Sequence, residues 1–157
     1  MPTLHGAGTL DGALAETIFR DVPVRGRHRG ILLSTLMPLL ASTIQCRRPL
    51  RLIDLRGFGL QRLGVSRREL IDSNVRNYSV TRAWAAALYR EVDDADGMVW
   101  IARQHDMSEA ILLFETRVER EELEVIAAPR PLAPGRNIES DVLAAAYAAG
   151  IAIVLDR

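Results

Sequence analysis

Apolar residues recur along the chain with two different periods, and the changes between them predict its elements. Leu10, Leu14 and Ile18 come every four residues, with Ala13 and Thr17 beside them. That is one buried stripe of a helix running from about Thr9 or Asp11 to Arg20. Thr9 or Asp11 can cap its free amides, and Asp21 and Pro23 end it. The opening residues 1–6 form an extended segment leading to Gly6 and Gly8. Ile31–Leu33 and Leu39–Ile44 are apolar runs broken by Pro38, the second reading as strand. Leu50–Leu55 alternates as a strand between Pro49 and Gly57, and short helical turns are expected near Leu60–Leu63 and Arg67–Asp72.

The clearest helix spans Thr81 to about Val92, with Ser79 or Thr81 as its cap and Trp84, Leu88 and Val92 as its apolar stripe, widened by Ala85 and Tyr89. A polar turn at Asp93–Gly97 leads to a strand at Met98–Arg103, and Ala110–Phe114 and Leu123–Ala128 read as further strands. A helix at Ile138–Ala149, capped by Gly150, precedes a last short strand or tail at Ile151–Leu155. Strands and helices mix without regular alternation. The expectation is therefore an α+β fold in a single domain covering residues 1–157, not a doubly wound parallel sheet.

Twenty basic and twenty acidic side chains cancel, so nothing in the charge balance points to a nucleic-acid binder. Arginines gather in residues 20–68 and acidic residues in 91–124. Such an arginine-rich stretch is either a solvated surface or a source of forks for an anionic ligand. One cysteine, Cys46, excludes an internal disulfide and suits a reducing cytoplasm, where it reads as a half-buried strand thiol. No apolar run approaches the ~20 residues of a membrane helix, and the N-terminus has no signal-peptide pattern.

Phosphate-binding glycine loops, paired cysteines and zinc-protease histidine pairs are all absent from the chain, and its histidines (His5, His28, His105) are scattered, so no metal site is expected. Glu16 stands one position off the Leu14/Ile18 stripe in an otherwise apolar window. It has two readings: a surface partner of Arg20 at i, i+4, or a carboxylate at the lip of a cleft. Arg103, followed by Gln104 and His105, closes an apolar strand at a plausible cleft edge.

Four segments taken in order resemble the bacterial RES domain. They are Pro2–Gly6; Gly12–Asp21, which contains Ala13, Glu16, Thr17, Arg20 and Asp21; Arg51–Gly57 (RLIDLRG); and Tyr78–Ala85 (YSVTRAWA) followed by Asp96–Gln104 (DGMVWIARQ). The resemblance is strongest over residues 2–118. It implies a fold similar to the ADP-ribosyltransferase toxins, with small mixed or antiparallel sheets, flanking helices and a cleft between them. It also implies a toxin that breaks the nicotinamide–ribose bond of NAD, passing the ADP-ribosyl group to water, phosphate or protein. The partner implied is a helix-turn-helix antitoxin of the Xre type, in a higher-order complex where the chain can also self-associate, with no direct nucleic-acid or membrane contact. In that picture Glu16 is the catalytic carboxylate, and His5, Ala102, Arg103 and Arg82 lie at the NAD site.

Three departures accompany the resemblance. Ala102 stands where the family has its serine, and His5 where it usually has tyrosine. The family's arginine belongs to a strand upstream of Pro2, so an N-terminally shortened chain is expected. An alternative expectation follows: a non-catalytic chain that keeps only the antitoxin-binding surface.

Overall fold

The structure, a computed structural model, describes residues 2–26, 28–72 and 78–156. Its elements in chain order are β1 (Thr3–Ala7), α1 (Leu10–Glu16), β2 (Gly30–Leu32), α2 (Leu33–Leu36), β3 (Leu40–Cys46), β4 (Leu52–Asp54), α3 (Gly57–Leu63), α4 (Arg67–Leu70), α5 (Tyr78–Glu91), β5 (Gly97–Ile101), β6 (Glu109–Phe114), β7 (Leu123–Pro131), α6 (Ser140–Ala148) and β8 (Ala152–Val154). Among the described residues, the strands form a mixed sheet in the order β1-β6-β5-β4 and two separate pairs, β2-β8 and β3-β7. This is the α+β class that the pattern predicts.

The pairing follows from the connections. β5 and β6 are antiparallel and joined by the short loop 102–108, whereas β4 and β5 are parallel and need a crossover, which α3, α4 and α5 supply. Two apolar clusters result. One gathers Leu14 and Phe19 with Leu33, Leu36 and Val142; the other gathers Leu60, Leu88, Met98, Leu112 and Phe114, with Trp84 and Trp100 packed against it. Cys46 is half-buried at the end of β3, as expected. No helix among the described residues is long and apolar enough to cross a membrane.

Two helix boundaries differ from the sequence reading. α1 stops at Glu16 instead of Arg20: Thr17 leaves the helical conformation at φ −117°, ψ −85°, its hydroxyl donates to the Ala13 carbonyl at 2.6 Å, and the Phe19 amide closes back onto the Leu14 carbonyl at 2.8 Å. The chain then turns, and Phe19 and Val22 drop into the core at 3% and 7% exposure. α5 begins at Tyr78, so Ser79 and Thr81 sit inside the helix and cannot cap it; whatever caps it lies outside the described residues. Gly150, at φ 63°, follows α6 in the left-handed conformation expected of a C-terminal cap.

The turn before β5 is tied to the rest by charge. Arg48 makes a two-pronged bond to Asp96, 2.8 Å to each oxygen, and Asp96 also accepts the Arg51 amide at 2.8 Å. Asp96 itself is 7% exposed.

Candidate functional site

Glu16 is the last helical residue of α1, where the helix dipole presents its negative end. A carboxylate there needs compensation, and it receives two kinds. Its Oε1 accepts the backbone N–H of Arg103 at 2.6 Å, and its Oε2 lies 3.6 Å from Arg20 Nη1. The side chain is 12% exposed against 42% for Arg20, so the carboxylate is sunk and the guanidinium stands at the surface. Glu16 thus pairs with Arg20 as the i, i+4 spacing predicts, and its other oxygen is bonded to the strand end that carries Arg103.

The Arg103 amide is presented by the loop 102–108, which is fastened on every side. At its base the Ala102 amide donates to the Ser108 carbonyl at 2.9 Å. From α4, the two Nη atoms of Arg67 donate to the carbonyls of Ile101 and Ala102, each at 3.0 Å. Gln104 Nε2 reaches the Arg20 carbonyl at 2.8 Å and the Val22 carbonyl at 3.3 Å. Ser108, only 1% exposed, bonds His105 Nδ1 at 2.7 Å and also the Thr9 hydroxyl, which caps α1 by accepting the Gly12 amide at 3.1 Å. The loop is thus bonded to both ends of the helix that carries Glu16. Ser108 and His105 form a contact that a hydrolase could use, but the hydroxyl is buried and spent on Thr9 and His105, which makes it a strut.

His5 stands on β1. Desolvation holds its imidazole below the ordinary 6.5, the charge of Arg20 adds to that, and the charge of Glu16 opposes it. His5 also borders a groove of about 690 Å³ between the β1/α1 side and the β3-β7 pair, with Leu4, Thr17, Ile18, Ile44 and Ile111 among its walls. That volume is in the range of small-molecule sites. Among the described residues, no group of three or more His, Cys, Asp or Glu is placed to hold a metal ion.

The structure brings Glu16 and the Arg103 amide together, while His5 lines the neighbouring groove, among whose lining residues neither Glu16 nor Arg103 is found. Ala102 is adjacent but 0% exposed, so only its backbone takes part. Arg82 is carried by α5, which packs on the second apolar cluster, while α1 packs on the first; the bonds that hold Glu16 do not involve it. Sequence reasoning missed Thr9, Arg67 and Ser108 as supports. Thr9 was legible as a helix cap and Gln104 as a cleft-edge neighbour; Ser108 and Arg67 carried no signal, since their partners are set by tertiary contact.

No curated protein and no solved structure matches the chain. The model of the RES domain matches residues 1–134 of the 157, a span that holds β1 through β7 and every residue of the Glu16 site, and the chain belongs to the RES-domain family.

Proposed function

We propose that this chain cleaves NAD between nicotinamide and ribose, and that an Xre-type helix-turn-helix antitoxin silences it in the cytoplasm by occupying the cleft. In the reaction the bond from ribose C1′ to the nicotinamide nitrogen breaks, and nicotinamide leaves with the electron pair. C1′ passes through an oxocarbenium-like state and forms a new bond to an acceptor oxygen, which sheds its proton when the acceptor is water. A carboxylate fixed beside that carbon stabilises the cation without having to reorganise.

The observation that carries this reading is the mounting of Glu16: 12% exposed, and held by the Arg103 amide at 2.6 Å. The groove of about 690 Å³ bordered by His5, and walled by Ala13, Leu14 and Thr17 from the segment that carries Glu16, supports the reading by offering room for a ligand next to that segment. Incubation of the purified chain and its Glu16→Ala variant with NAD, with and without phosphate, tests it. NAD loss that vanishes in the variant supports the reading, and dependence on phosphate names the acceptor.

A second reading is favoured by Ala102. The family's serine hydroxyl is missing there, and the position is fully buried. In this reading the chain binds its antitoxin without turning NAD over. NAD left intact by both proteins, each folded by circular dichroism, supports it.

A further inference from the structure

We infer that two copies of this chain associate through the outer face of α6, packed antiparallel about a two-fold axis. The surface is separate from the Glu16 site and does not rest on the NAD reading. The RES match ends at residue 134, so α6 (Ser140–Ala148) and β8 (Ala152–Val154) lie beyond it.

A surface helix ordinarily has one apolar face, and α6 has two. Val142 and Ala146 are buried in the first apolar cluster. On the opposite side stand Leu143 and Tyr147, 46% and 89% exposed, with Ala144 and Ala148 exposed beside them. Positions three and four apart share one side of a helix, so these four residues form a single uncharged patch. A tyrosine held on such a patch is the type of anchor that interfaces bury. A stable interface takes about 800 Å² from each partner, more than one short helix offers. The β2-β8 pair adds to the apolar surface. Ile31 and Ile153 turn inward to the same cluster, so Leu32 and Val154, the next residues of their strands, turn outward and are half exposed.

Size and charge both fit this patch to a second copy of itself. With the axis midway between Ala145 and Ala146, Leu143 faces Ala148 of the second copy, and Ala144 faces its Tyr147. Each large side chain meets a small one, which is the self-complementarity that a two-fold interface requires. At the N-terminal end of α6, Glu139 and Asp141 share one arginine, Arg130, which leaves that end negative, and both carboxylates are partly exposed. At the C-terminal end stands Arg29. Its Nη1 lies 3.2 Å from where a side chain on Gly150 would begin, and its Nε donates to the Pro23 carbonyl at 2.7 Å. The rotation brings the acidic end of one helix to the Arg29 end of the other, at both ends of the contact. A parallel arrangement would set acid against acid and tyrosine against tyrosine, and is disfavoured on both counts.

Sedimentation equilibrium of the purified full chain tests this. The unaltered chain should be a dimer at micromolar concentration. Tyr147→Ala should raise the dimer Kd about tenfold or more, and Tyr147→Glu, which puts a charge on the uncharged patch, should leave a monomer. Ala144→Tyr should also weaken the dimer by opposing two tyrosines. The double variant Ala144→Tyr/Tyr147→Ala should regain affinity over either single one, because it exchanges large and small across the axis. Both positions are exposed, so circular dichroism should show each variant folded. A chain that stays monomeric on its own overturns the inference and leaves the patch to a different protein. A dimer indifferent to Tyr147→Glu also overturns it, and absence of rescue in the double variant overturns the antiparallel register. None of these readouts depends on NAD turnover, so their failure leaves the proposed function standing.

Discussion

The hydroxyl of Ser108 is bonded to the hydroxyl of Thr9 across 99 residues of sequence, joining the cap of α1 to the base of the loop that presents the Arg103 amide. Helix and loop are thereby locked at one end by hydroxyls and at the other by Glu16 itself. The carboxylate is consequently positioned by the framework around it, and the framework can be tested apart from the chemistry.

Gly12 and Ser108 should behave as one unit. A methyl group on Gly12 would come within 2.5 Å of Ser108 Cβ. Gly12→Ala should cost about 1–3 kcal/mol through overpacking. Ser108→Gly, which strands Thr9 and His105 without their buried partner, should cost about 1–3 kcal/mol. The double variant should lose clearly less than the sum, and a denaturant-unfolding cycle measures the coupling; strict additivity would contradict the contact.

Glu16→Gln and Glu16→Ala should separate structure from chemistry. The glutamine keeps an oxygen for the Arg103 amide, so its melting temperature should stay near that of the unaltered chain, while alanine lowers it. Both should reduce NAD cleavage by about 10²–10⁴-fold. A glutamine variant that retains full cleavage would remove Glu16 from the reaction.

Arg67 holds two successive carbonyls with one fork, which a lysine cannot reproduce. Arg67→Ala should cost about 1–3 kcal/mol, and Arg67→Lys should restore less than half of that loss in thermal unfolding. Full rescue by lysine would mean that charge alone matters at this position.

Acid should weaken the chain through Asp96. The bond from Arg48 holds its carboxyl below the ordinary 3.8, with the Arg51 amide adding to the effect and desolvation opposing it. A depressed carboxyl stabilises the fold at pH values above its unfolded pKa, and that contribution is lost as pH falls through the lower folded value. Asp96→Asn should therefore melt below the unaltered chain at pH 7, with the gap closing as the pH drops below about 4. A gap independent of pH would assign the loss to packing.

Much of the element order was legible, for identifiable reasons. The Leu10/Leu14/Ile18 spacing marked α1, Thr9 its cap, Gly150 the end of α6, and the apolar run from Met98 the central strand β5. The end of α1 was not legible, because the chain leaves the helix at Thr17 to bury Phe19 and Val22, a tertiary demand that the continuing periodicity does not carry. Arg82 looked as close to the site as Arg103 did, since both belong to segments that resemble the same family. Only the fold places α5 on the other apolar cluster.

By itself the sequence determined the class of fold, the family, and that Glu16 is a carboxylate in an apolar helical window, because periodicity and local motif are properties of neighbouring residues. Tertiary structure decided what touches Glu16. The Arg103 amide, the Arg67 fork and the Ser108 hydroxyl reach it or its supports only because β5 and β6 pair and lay their loop across α1. Contacts of that kind depend on register and burial, and a linear pattern encodes neither.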